Sequence, residues 1–125
     1  MQNHECDTRY QPVTEKTLKQ ENLQYCDTGG VSAKNHHMGF LPAYLDTETG
    51  NIYLSRFPDG RPAPVHLLSG LPRELFVHRK PSSSQASVKQ SVISGFLCER
   101  TFYTRAEAAL ATAAAQIHWA FLQVQ

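Results

Sequence analysis

Apolar residues along the chain change their period twice. From Phe40 to Phe57 they alternate in short runs separated by turn residues. Phe40-Leu-Pro-Ala-Tyr-Leu45 reads as a strand, and Asp46-Thr-Glu-Thr-Gly-Asn51 as a hairpin connection. Ile52-Tyr-Leu-Ser-Arg-Phe57 then returns, with Ile52 and Leu54 on one side and Tyr53, Ser55 and Phe57 on the other. Pro42 argues for an edge strand or a bulge, because proline cannot donate to a ladder. Pro58-Asp-Gly60 is a turn, Val65-His-Leu-Leu68 a third strand, and Leu75-Phe-Val-His78 a fourth, although Pro72-Arg-Glu-Leu75 is equally suited to a helical turn. Val88–Leu97 is a further strand broken by Gly95, with Cys98-Glu-Arg-Thr101 as the turn and Phe102-Tyr103 as the return.

After Thr104 the period becomes helical. Thr104-Arg-Ala-Glu107 is a capping box, in which the threonine hydroxyl and the glutamate carboxylate each accept an amide at the helix start. The alanine-rich run beyond it predicts helix to at least Phe121. At about 100° per residue, Leu110, Ala114, Ile117, Phe121 and Val124 form one apolar stripe, expected to pack on the sheet. Trp119 and Leu122 lie on another side with Ala108, Ala111 and Ala115, leaving Arg105, Thr112, Gln116 and Gln123 as a thin polar strip. A helix this apolar around its circumference calls for a second covering surface, and Trp119 and Leu122 become candidate anchors of a homodimer or partner interface.

The expected fold is therefore α+β: a small antiparallel sheet of about five strands built from hairpins, packed by a C-terminal helix. Residues 1–35 read as a polar N-terminal arm with a short helix between Thr14 and Cys26, its one side lined by Leu18, Leu23 and Tyr25. Asp27-Thr-Gly-Gly30 is a turn, and residues 36–125 form a single domain.

A chain of 125 residues buries a working core without metals or disulfides. The net charge of +1 excludes arguments from bulk charge, although residues 1–50 sum to −3 and 51–125 to +4. Cys6, Cys26 and Cys98 are odd in number and widely spaced, which reads as reduced cytosolic thiols. With no leader and no membrane-length apolar run, the expected location is the cytoplasm.

Ser94-Gly-Phe-Leu97, then Phe102, Arg105, Glu107-Ala-Ala109 and Gln116-Ile117, resembles a segment of small uncharacterised phage and prophage proteins. Those proteins carry Gly-Phe-Leu, a turn, an aromatic, Arg-x-Glu-Ala and an Ala-rich helix ending near Gly-Gln-Ile. This chain departs from them at Arg100-Thr101, where Gly-Arg is usual, and at Ala115. The resemblance implies origin in a mobile element.

Candidate chemistry is sparse. The six histidines, His4, His36, His37, His66, His78 and His118, lack the spacing of a zinc site. His66 and His78 are placed to face each other across neighbouring strands. Cys98 beside either is the available thiol–base pairing. Asp46 and Glu48 read as solvated turn carboxylates that hold their loop by local hydrogen bonds. Nucleotide-binding, nucleophile-elbow and zincin motifs are absent, so neither cofactor nor metal is expected. Arg56, Arg61, Arg73, Arg79, Lys80 and Lys89 gather around the sheet with Tyr53, Phe57 and Phe76 interleaved. That pairing of cations and rings also suits single-stranded nucleic acid.

The leading expectation is a non-catalytic interaction protein of phage or mobile-element type that occupies a host protein or nucleoprotein complex, an anti-CRISPR-like inhibitor being its most concrete form. Trp119, Leu122 and the arginines are its expected contacts. A nucleic-acid-binding module is the alternative, and a thiol- or metal-dependent enzyme the third.

Overall fold

A computed structural model of the chain describes residues 13–78 and 87–124, with side chains within these bounds except at 78, 87 and 116–124. Arg79, Lys80, His4 and Cys6, residues 81–86, and the side chains of Trp119, Leu122, His78 and His118 lie outside that description. The element order is α1 (Glu15–Gln24), α2 (Ser32–Asn35), a 3-10 turn (His36–Met38), β1 (Leu41–Asp46), β2 (Ile52–Leu54), a 3-10 turn (Arg73–Leu75), β3 (Phe76–His78), β4 (Ser87–Val88), β5 (Val92–Cys98), β6 (Thr101–Thr104) and α3 (Arg105–Val124). The fold is α+β. A four-stranded antiparallel sheet runs β2-β1-β5-β6, and β3 and β4 form a separate two-stranded ribbon.

Helix α1 begins at a reciprocal cap: the Thr14 hydroxyl accepts from the amide of Thr17 at 3.1 Å, and the Thr17 hydroxyl accepts from the amide of Thr14 at 2.8 Å. Leu18 is buried, but Leu23, expected on the same side, is 78% exposed. Five residues turn a helix through about 140° beyond a full revolution, which separates the two. Val13 and Leu18 share a core with Tyr44, Leu68, Leu71, Leu75, Val88 and Val92. Residues 13–35 thus contribute, through Val13 and Leu18, to the same interior as the strands.

Two hairpins supply the sheet, and their Gly-Phe-Leu segments meet at its centre: Leu41 pairs with Leu97, while the rings of Phe40 and Phe96 meet edge to face at 6.3 Å. Pro42 sits in the central strand β1, opposite Phe96, and not at an edge. The structure accommodates it at the end of the β1–β2 ladder. Pro42 accepts from the Ser55 amide at 2.9 Å, and the Ser55 carbonyl, which a proline cannot serve, accepts from the Ala63 amide at 2.9 Å.

The expected strand at 65–68 does not form. Ser55 takes its place in the hydrogen bonding: its hydroxyl donates to the Val65 carbonyl at 2.8 Å and accepts from the Leu67 amide at 2.7 Å, holding the segment in irregular conformation. At 72–78 both readings hold in succession, a 3-10 turn over Arg73–Leu75 followed by strand β3.

Alternation along the strands gives the sheet two unlike faces. One carries Tyr44, Phe96 and Ser94 and is covered by α1, α3 and the 62–75 segment. The other presents cross-strand rows of Ile52, Leu45 and Ile93, then Leu54, Ala43, Gly95 and Thr104, then Leu41, Leu97 and Phe102. Phe102 lies directly over Gly95, where a Cβ would fall 2.4 Å from the ring.

Over residues 105–115, α3 packs by a face different from the one its apolar stripe suggests, while the side chains of Ile117, Phe121 and Val124 in that stripe lie outside the description. Arg105, Ala108 and Thr112 are the buried residues of this part, whereas Leu110 is 72% exposed and Ala114 is also exposed. Close approach explains the choice. Phe40, Phe96 and Ala108 form a tight cluster, and Gly29 abuts Thr112 so closely that a Cβ would lie 1.8 Å from its hydroxyl. Small side chains on the helix let the sheet and the 29–30 turn come near, which a leucine would prevent.

The β5–β6 corner consists of Glu99 (φ 50) and Arg100 (φ 72), both left-handed, as a two-residue hairpin turn of matching twist requires. Neither residue favours that region. Glu99→Asn combined with Arg100→Gly is expected to stabilise the protein by about 1 kcal/mol, read as a higher urea midpoint with an unchanged slope.

Candidate functional site

The most heavily connected polar side chain among the described residues belongs to Arg105, the first residue of α3, which is 3% exposed. The expected capping box frames it: Thr104 donates its amide to Glu107 Oε1 at 2.9 Å, and the Glu107 amide donates to Thr104 Oγ1 at 3.1 Å. A cation at a helix N-terminus opposes the helix dipole, so the guanidinium depends on other partners. Nε faces Glu21 Oε1 at 3.3 Å and Ser94 Oγ at 3.4 Å, and Nη1 donates to Asn22 Oδ1 and the Gly30 carbonyl, each at 3.0 Å. Nη2 donates to His66 Nδ1 at 3.1 Å. Ser94 completes the ring by donating to Glu21 Oε1 at 2.7 Å, and the guanidinium carbon lies 5.8 Å from the centre of the Phe96 ring. Burial pulls the guanidinium below its ordinary basicity, and Glu21 opposes that pull.

His66 is fixed by the same network. Arginine can only donate, so Nδ1 is the acceptor, and Nε2 carries the proton it gives to the Gly95 carbonyl at 2.7 Å. Burial first, and the neighbouring Arg105 charge second, lower its pKa from 6.5 to about 4. The ring meets Tyr44 edge-on at 5.4 Å and Phe96 at 5.2 Å. The Tyr44 hydroxyl donates to the Leu67 carbonyl at 3.0 Å, and burial raises its pKa well above the ordinary phenol value.

Two clefts share Asn22 and His66 in their linings. The larger, about 300 Å³, is lined by Asn22, Cys26, Asp27, residues 31–34, Val65 and His66. The other, about 230 Å³, runs between Glu15, Leu18 and Lys19 of α1 and residues 67–69. Both ring nitrogens of His66 are engaged within the protein, so it offers these clefts an imidazole edge and no free lone pair for proton abstraction.

The residues singled out from sequence fall elsewhere. Cys98 packs beside the Phe40–Phe96–Ala108 cluster, its thiol 3.9 Å from the Met38 carbonyl, while His66 is held at Gly95. His66 does not lie on a strand facing His78, because residues 65–68 are irregular. Asp46 is not solvated: at 1% exposure it accepts from the Glu48 amide at 3.0 Å and from Lys89 at 3.1 Å, and Lys89 also reaches Glu48 at 3.0 Å. Arg56 donates to the Gly60 carbonyl at 2.8 Å. Arg61 pairs with Asp59 at 2.7 Å and covers the Phe57 ring at 4.9 Å. Tyr53 and Phe76 pack against the core, and Arg73 is exposed on its 3-10 turn. Among the described residues, Arg56, Arg61, Lys89, Tyr53, Phe57 and Phe76 are thus engaged locally or inward. No group of three or more His, Cys, Asp or Glu gathers to hold a metal among the described residues, and none of the helices described is long and apolar enough to cross a membrane.

Sequence reasoning placed Arg105 and Thr112 on a thin polar strip, noted Ser94 only as part of the Gly-Phe-Leu segment, and left Glu21 and Asn22 unremarked. The available signal was a serine in the middle of an apolar strand, facing the side from which an Arg-x-x-Ala-x-x-x-Thr spacing of small residues approaches.

Compared with family models, curated proteins and solved structures, the chain matches none.

Arg105→Lys keeps the charge but loses the fork that reaches acceptors in several directions. It is expected to lower stability by about 2 kcal/mol in chemical denaturation, because buried acceptors lose their donors. His66 gives a pH signature. Between pH 6.5 and about 4 the unfolded chain binds the proton that folded His66 refuses, so stability falls as pH drops through this window. The loss attributable to His66 levels off below the folded value at about 3 kcal/mol. Denaturation of wild type beside His66→Gln, taken at successive pH values, should show that component missing from the variant.

Proposed function

We propose that the protein is a non-catalytic interaction protein that occupies a surface of a host macromolecular complex, with the C-terminal part of α3 as its principal contact. The observation that carries this reading is the exposure of α3 over residues 110–115 on the side turned from the sheet. Leu110 is 72% exposed and Ala113, Ala114 and Ala115 are exposed in succession, a sweep of about 200° around the axis, while the helix continues to Val124. Trp119 and Leu122 follow within about three turns of Leu110 on the same helix, and an aromatic with an aliphatic residue suits a protein partner. Arg56, Arg61, Arg73, Arg79 and Lys80 are the accompanying cationic contacts. The resemblance of the 94–117 segment to phage and prophage proteins supports origin in a mobile element, and an inhibitor of a bacterial defence complex, of the anti-CRISPR kind, is the concrete form of the proposal.

The test is capture of a complex from a bacterial host lysate by the tagged protein, beside binding to a single-stranded oligonucleotide. A captured protein complex that survives high salt and is lost with Leu110→Glu is the expected result. That substitution at an exposed site should change folding stability by less than about 0.5 kcal/mol. Oligonucleotide binding that collapses steeply with rising salt would instead establish the nucleic-acid module.

A further inference from the structure

We infer that the sheet face opposite α1 and α3 is the interface of a homodimer, in which two copies stack their sheets face to face. An antiparallel sheet with one wet face shows apolar residues on alternate positions only. Here both parities are apolar: on β1, Tyr44 points inward while Leu41 and Leu45 point outward, and on β5, Phe96 points inward while Ile93 and Leu97 point outward. Such a pattern belongs to a sheet covered on both sides.

Cover of the outward face is incomplete among the described residues. Ala43 and Gly95 are buried and Leu45, Leu54, Ile93, Leu97 and Phe102 half-buried, but Leu41 is 47% exposed and Ile52 38%, and none of the large apolar residues in its rows belongs to either core cluster or to the side chains packed against them. Its ten row positions hold no ionisable side chain.

That composition selects the occupant. Interfaces with transient partners are about as polar as the remaining surface, whereas homodimer interfaces are distinctly more apolar. An uncharged aliphatic face also meets no like-charge repulsion from its own copy, and aligned stacking of two twisted sheets about 10 Å apart is a standard way to bury it. In sheet order the strands run three, six, seven and four residues, and at about 3.4 Å by 4.8 Å per residue they give a face of roughly 330 Å². This is about half of the roughly 600 Å² per partner at the lower end of specific interfaces, and the hairpin tips at 47–50 and 99–100 would supply the remainder. The surface lies opposite the sheet face on which Ala108 of α3 packs, so the two proposals stand independently.

Light scattering and sedimentation across a concentration series test the assignment. The expected result is a wild-type mass twice that of one chain, and conversion to monomer by Leu41→Glu with Ile52→Glu, with the dissociation constant raised about 100-fold or more. Far-UV circular dichroism establishes that the variant is folded. If it is not, Leu41→Gln alone, at the more exposed position, should weaken the dimer about 10-fold. A wild type that stays monomeric throughout overturns the inference. So does a dimer that survives a folded face variant, or one abolished by Trp119→Ala with the sheet face unaltered.

Discussion

A single buried cation holds the parts of this protein together. Arg105 has ligands from α1 (Glu21, Asn22), from the turn that follows it (Gly30), from the irregular segment (His66) and from the central strand β5 (Ser94). Removing such a charge from water is unfavourable by several kcal/mol unless its donors are met. The elements that meet them are thereby held in one arrangement. This is why a polar stretch such as residues 15–30, poor in large apolar groups, is an integral part of the fold: its contribution is acceptors, with Val13 and Leu18 providing its apolar anchorage.

The same constraint sets how α3 is oriented. With Arg105 directed inward, the residues one and two turns further along, Ala108 and Thr112, must face the sheet. Leu110 is rotated away from it and left at the surface. A helix aligned by its greasiest stripe would have had to expose the guanidinium's partners. The requirement to satisfy a buried charge outweighs the gain from covering one leucine, about 2 kcal/mol.

Local features of the sequence were legible because their causes are local. The capping box at Thr104 and Glu107, the hairpin at 46–51 and the corner at 98–101 each depend on residues within a few positions of one another. So does the α+β class, which follows from alternation giving way to helical spacing. What could not be read depends on partners distant along the chain. Pro42 lies in a central strand because Ala63 takes the carbonyl that proline leaves, and Val65–Leu68 is no strand because Ser55 has captured its backbone groups. The arginine cluster is of this kind too, since Glu21 and Arg105 carry no sign in their own surroundings that they will meet.

The central pairing of β1 with β5 has a kinetic consequence. Its partners, from Leu41 with Leu97 to Asp46 with Val92, stand far apart in sequence, whereas each outer strand is joined to its neighbour by a short turn. Closing a long loop is entropically slower than zipping a hairpin. The two hairpins should therefore assemble early as separate units and wait for each other, with the Phe40–Phe96 contact as the point where they first dock and the sheet becomes one.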